Sequence, residues 1–219
     1  MKIIKSFFII TCMTLFITVT GCNSKTYEKR QYVLDVTRRY PPSQTKIADT
    51  IVINRFTINP VFSDKPFIYK LSEFEYESDY YNEFYIPPSV MITEKVRNWF
   101  TESDLFQRVF ESSSYGVTPD YILEGNINSL YWDLRDTKLP IAVMEIRFFL
   151  SKNHFTEEPD LIFSKNYKYS FIFENGIYVD LIKASDSCLF EILTKVEKDL
   201  KEILLTKSPD MPKEEIADY

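Results

Sequence analysis

The clearest periodic signal in the chain lies between Phe163 and Glu174. Phe163, Lys165, Tyr167, Tyr169, Phe171 and Phe173 alternate with Ser164, Asn166, Lys168, Ser170, Ile172 and Glu174. A period of two, one side mainly aromatic and the other mainly polar, predicts a strand in a sheet covered on one face. Asn175-Gly176 predicts a turn. From about Val179 to Leu205 the period becomes helical, with Leu181, Cys188, Ile192, Val196, Leu200 and Ile203 on one stripe. Upstream, "QYVLDV" (Gln31–Val36) and "DTIVINRFTI" (Asp49–Ile58) predict strands, separated by a loop that Pro41-Pro42 keeps irregular. Residues 120–134 and 142–152 predict two more. Phe67, Tyr69 and Leu71 alternate with Ile68, Lys70 and Ser72, a strand or hairpin running into "FEYESDYYNEFYIPP" (Phe74–Pro88). Ile92, Val96 and Trp99, with Phe100 beside them, predict a helix from Pro88 to about Glu102, and proline suits a first helical turn. The order strands, helix, strands, helix contains no repeat. It predicts one α/β domain, a sandwich of a mixed, partly antiparallel sheet with two main helices.

The N-terminus departs from this pattern. Lys2 and Lys5 precede "FFIITCMTLFITVT" (Phe7–Thr20), which carries no charge. The run is short of the roughly 20 apolar residues a bilayer span takes, and it fits a secretory signal segment. It ends in Val19-Thr20-Gly21-Cys22, a quartet resembling a bacterial lipobox, in which cleavage precedes a cysteine that becomes lipidated. The division expected is a signal peptide at 1–21, a tether at 22–30, a domain at 31–206 and a loose acidic tail at 207–219. Residues 1–21 hold two lysines and no acids, so their removal takes the net charge from −6 to −8. Cys188 is then the other cysteine, with no intrachain disulfide to form and a buried place expected on its helix.

Composition narrows the chemistry. No long basic run exists and the balance is acidic, which argues against nucleic acid as partner. His154 is the single histidine and falls in a polar stretch, "SKNHFTEEPD", that reads as a loop. A Ser–His or Cys–His pair would have to use it. No Cys/His spacing suits a metal. Gly116, Gly125 and Gly176 lie too far apart for a phosphate-cradling loop. The expectation is a chain without cofactor, metal or catalytic residues.

The run from Phe74 to Pro88 asks for a closer reading. Glu75, Glu77 and Asp79 alternate, so on a strand they share one face, where like charges favour solvent. Phe74 and Tyr76 are expected on the buried side. An acid–base site using Glu77, Asp79 and Glu83 is the enzymatic alternative. Tyr80, Tyr81, Phe84 and Tyr85 exceed what one strand face buries, and exposed tyrosines suit a protein or lipid contact. Tyr80, Tyr81, Asn82, Glu83, Phe84 and Tyr85 are therefore the candidate partner-binding residues.

"YESDYYNEFYIPPSVMITEKVRNWF" (Tyr76–Phe100), "DYILEGNINSLYWDLRD" (Asp120–Asp136) and "AVMEIRFFL" (Ala142–Leu150), with the lipobox at Cys22 and "YVLDV" after the tether, resemble blocks of the ABC-type transport auxiliary lipoproteins, the PqiC/YmbA-like family. The resemblance spans roughly Gln31–Leu205. It implies a fold similar to anticodon-binding-like domains and no catalytic residues. It implies an acyl anchor, palmitate among its chains, on Cys22, and a periplasm-facing lipoprotein serving an ABC permease, its ATPase and an MCE-domain protein. Such systems move phospholipid or other hydrophobic compounds between membranes. Asn23 after the cysteine leans towards the outer membrane rather than the inner. An envelope assembly lipoprotein on a similar fold, serving lipopolysaccharide export or activating a cell-wall synthase, is the other reading. A homo-oligomer around a transporter tip is one arrangement left open.

Overall fold

The computed structural model describes residues 28–43, 46–111, 116, 118–154, 157–173 and 178–207. The proposed signal segment, Cys22, the Asn175-Gly176 turn and the tail from 208 lie outside the described residues. The described chain is a mixed α/β domain with one nine-stranded, partly antiparallel sheet and two helices. The strands are β1 (Arg30–Tyr32), β2 (Ala48–Ile53), β3 (Thr57–Ile58), β4 (Pro66–Lys70), β5 (Tyr76–Phe84), β6 (Phe106–Glu111), β7 (Tyr121–Asp133), β8 (Ile141–His154) and β9 (Glu157–Ile172). Helix α1 spans Pro88–Ser103 and α2 spans Tyr178–Lys207.

β7 organises the sheet. One of its edges carries β8, antiparallel, and then β9. Its other edge takes three short parallel strands in turn: β2 against Tyr121–Leu123, β3 against Asn126–Ile127 and β4 against Trp132–Asp133. β6 extends the sheet beyond β2, while β5 and then β1 extend it beyond β4. The strand expected over 49–58 is therefore two strands with a break at 54–56. There Asn54 donates its N–H to Leu123 O (3.0 Å) and Phe56 donates to Thr93 Oγ1 (3.0 Å).

Alternation decides which face is covered. Ala142, Met144, Ile146, Phe148 and Leu150 of β8 are buried. Between them Glu145 and Arg147 point outwards, bonded to Asn166 (2.8 Å) and Ser164 (3.2 Å) of β9. α2 lies across β8 and β9 on the inner face. At 30 residues it is about 45 Å long. Leu181, Cys188, Ile192, Val196 and Leu200 are buried along it as the stripe predicts, Ile203 at its end is half-buried, and Leu189 is buried beside them. Burial pushes the Cys188 thiol up to about 12, which leaves it unreactive at neutral pH. α1 starts at Pro88 and is closed after Ser103 by Asp104 in the left-handed conformation (φ 53°), which aspartate tolerates. His154 is the last residue of β8 rather than part of a loop, opposite Glu157.

The strand expected at Gln31–Val36 stops at Tyr32, because the chain leaves the sheet to strap the two helices together. Leu34 is buried and its N–H points at Met91 Sδ (3.3 Å). Asp35 donates its N–H to Asp186 Oδ1 (2.9 Å), and its carboxylate pairs with Lys95 (3.1 Å). Arg38 then forks onto Glu197 of α2, whose carboxylate also accepts the Trp99 indole N–H (2.7 Å) from α1.

Candidate functional site

β4 and β5 form a hairpin whose ladder is interrupted. Lys70, Tyr69 and Ile68 face Tyr76, Glu77 and Ser78, but Pro66 faces Glu83, so two steps along β4 match five along β5. Pro66 has no N–H to continue the ladder. The three extra residues of β5 bulge out, and Asp79 holds the bulge. Its Oδ1 accepts the N–H groups of Tyr81 (2.7 Å) and Asn82 (3.0 Å). Its Oδ2 accepts the Tyr69 hydroxyl (2.7 Å) and the Asn82 side-chain amide (2.8 Å). Burial pushes the Asp79 carboxyl up, but these bonds, led by Tyr69 and Asn82, outweigh it and hold it below its ordinary value. Tyr69 is raised in turn, by burial first and then by Asp79.

The bulge places Tyr80 and Tyr81 at the surface, 72% and 44% exposed, with their rings 5.0 Å apart, edge to face. Tyr85, just past β5, is 60% exposed. Asn82, Glu83 and Phe84, between them, are buried. The six candidate residues thus divide into three displayed tyrosines and three interior supports. Phe84 packs on Phe67 (4.9 Å) and Trp132 (6.0 Å). Asn82 accepts the Tyr32 hydroxyl (3.3 Å).

Glu83 ties β1 to this surface. It accepts Gln31 Nε2 (2.9 Å) and Lys29 Nζ (3.1 Å), and Lys65 Nζ lies 3.4 Å away. Lys29 also sits 5.5 Å over the Tyr80 ring. Gln31 and then Lys29 hold the Glu83 carboxyl down to about 2 against an ordinary 4.5. A depressed carboxyl contributes stability that is complete above the unfolded value and lost as pH falls. The denaturation midpoint should therefore drop between pH 4.5 and 2 more steeply in the native chain than in Glu83→Gln. Parallel pH profiles for the two would show that the clamp contributes nothing.

Glu75 and Glu77 are solvated as expected, but the expected burial of Phe74 and Tyr76 and the solvation of Asp79 are corrected here. Phe74 is exposed at the hairpin tip, where Leu71 N–H bonds Glu75 O (3.0 Å). Tyr76 is also exposed, although its ring packs edge-on against Tyr131 (5.7 Å). Glu75 precedes β5, and Asp79 is a half-buried structural acceptor. A cleft of about 350 Å³ lies between the strap and α2, lined among others by Asp35, Arg39, Asp186 and Phe190. Burial pushes the Asp186 carboxyl up to about 6. Among the described residues, no three His, Cys, Asp or Glu side chains gather as metal ligands would, and no helix is long and apolar enough to cross a membrane.

No family model matches the sequence, and no curated protein matches it. Solved structures do. Protein XCC0632 from Xanthomonas campestris, of the DUF330 family, superposes with a TM-score of 0.69 at 13% identity, covering 81% of this chain and 98% of that one. The two share a fold. A second solved protein gives a TM-score of 0.60 at 11% identity over 79% of this chain and 99% of its own. Protein CT253 from Chlamydia trachomatis gives 0.50 at 7% identity, covering 73% and 99%.

Proposed function

We propose that the protein is a periplasm-facing lipoprotein, anchored through Cys22, that serves as a non-enzymatic accessory component of an ABC/MCE-type transporter of phospholipid or other hydrophobic compounds. The observation that carries this reading is the fold shared with a DUF330 protein over 81% of this chain and 98% of that one. DUF330 proteins are PqiC/YmbA-like, the family that the sequence resembles in its blocks at 76–100, 120–136 and 142–150. The lipobox at Cys22 supports the anchor, and Asn23 supports the outer membrane. Two surfaces are available for contact. One is β9, which among the described strands pairs with β8 alone and so offers a long open edge. The other is the tyrosine surface on the β5 bulge.

The test is co-purification of the native lipidated protein in mild detergent, with mass spectrometry of what accompanies it. An MCE-domain protein or an ABC permease is expected in the eluate. Recovery of a lipopolysaccharide-export protein or a cell-wall synthase instead would overturn the transporter role and favour the envelope-assembly reading.

A further inference from the structure

We propose that the Tyr80–Tyr81–Tyr85 surface rests on the bilayer that carries the protein's own lipid anchor, so that the β1 edge of the sheet faces the membrane and the β9 edge faces away. The proposal rests on lipidation at Cys22, as read above.

The exit point of the tether is fixed. β1 is held in register on β5, with Arg30 opposite Asn82, and the Glu83 clamp grips Lys29 and Gln31 on either side. The chain towards Cys22 therefore leaves the domain beside Tyr80, over whose ring Lys29 sits at 5.5 Å. Seven residue steps separate Lys29 from Cys22. Fully extended, they reach no more than about 25 Å, well short of the length of α2. Any acyl chain on Cys22 keeps this surface close to the headgroups. At such an enforced local concentration, weak contacts suffice to orient the domain.

The side chains suit that place. A tyrosine ring offers apolar area with a polar tip, the combination enriched at the level of lipid headgroups. Tyr80, Tyr81 and Tyr85 are exposed together, and the Lys29–Glu83–Lys65 chain links their settings, with Lys65 Nζ also 3.4 Å from Tyr85 O. Both lysines are committed to Glu83, and Glu73, Glu75 and Glu77 are exposed on the same hairpin. Arg30 is also exposed at the β1 edge, so positive and negative charges are mixed around the rings. Ring area rather than headgroup charge carries the contact, and zwitterionic headgroups satisfy it. Across the sheet, in the order β1, β5, β4, β7, β8, β9, five strand spacings place the open β9 edge about 24 Å away.

The test uses the full lipidated chain carrying Tyr80→Trp, reconstituted in phosphatidylcholine vesicles that contain tail-brominated phosphatidylcholine. Trp99 and Trp132 are buried and supply a constant background. Tyr85→Trp is a second probe, and Leu161→Trp, exposed on β9, is the reference. Quenching several-fold stronger at positions 80 and 85 than at 161 is expected, unchanged when phosphatidylglycerol is added. Equal quenching at all three positions overturns the contact. Strong quenching only with phosphatidylglycerol overturns the zwitterionic assignment. The mass of the N-terminal peptide is read in parallel. An unmodified Cys22 overturns the lipoprotein reading itself, whereas a lipidated, vesicle-bound protein with unquenched probes overturns the bilayer contact alone.

Discussion

Arg38→Ala should lower the stability of the domain by about 3 kcal/mol, measured as a fall in the urea midpoint at unchanged slope. Arg38 donates from Nε (2.9 Å) and Nη2 (2.7 Å) to the two oxygens of Glu197, and from Nη1 to Tyr40 O (2.6 Å) and Pro41 O (3.1 Å). Its side chain is 5% exposed, and that of Glu197 is 18%. Removing the guanidinium leaves a shielded carboxylate that keeps the Trp99 indole N–H and frees two carbonyls of the strap. Breaking a buried pair costs about 3–5 kcal/mol, and the residual exposure of Glu197 puts this one at the low end. Hydrogen bonds to Glu197 raise the Arg38 pKa further, so the guanidinium stays charged at every working pH. Arg38→Lys keeps the charge but loses the fork, and it should recover only part of the loss. A shift below about 1 kcal/mol for Arg38→Ala would place this node among ordinary surface pairs.

The strap explains why part of the fold was hidden from the sequence. The β9 alternation and the α2 stripe are local patterns, and both elements appear over them, although β9 begins earlier, at Glu157, inside the stretch read as a loop. The Arg38–Glu197 contact joins residues 159 apart, and no local period announces it. "LDVTRR" therefore reads as the end of a strand and the start of a loop. β6 was missed for a related reason. Its six residues, "FQRVFE", are too short to separate from the end of α1, and they become a strand by pairing with β2. In the tyrosine run, Tyr80, Tyr81 and Tyr85 are exposed and Phe84 is buried, and the frame expected from alternation does not hold. Strict alternation across Glu75, Glu77 and Asp79 assumes an unbroken ladder, whereas the bulge opposite Pro66 shifts every side chain after Ser78. Pro66 was the available signal, since a proline beside a strand start weakens the neighbouring ladder.

Gly125→Ala should cost about 3 kcal/mol, the upper end for overpacking a core. Gly125 lies on β7 opposite Phe148 and is conformationally ordinary, so the requirement is space rather than backbone freedom. A Cβ there would stand 2.2, 2.3 and 2.6 Å from three carbons of the Phe56 ring. That ring has little room to retreat. Phe148 meets it edge-on at 5.3 Å, and its own backbone N–H is fixed to Thr93 Oγ1, which in turn donates to Ser89 O (2.6 Å). At the break between β2 and β3, Phe56 lies over the bare glycine and its N–H bonds Thr93 of α1, which ties the sheet to that helix. Phe56→Leu should therefore relieve the clash, leaving the double variant more stable than Gly125→Ala alone. A coupling of about 0.5–3 kcal/mol is the range expected of residues in direct contact. Additive losses in that double-mutant cycle would mean that the alanine disturbs β7 itself rather than the ring above it.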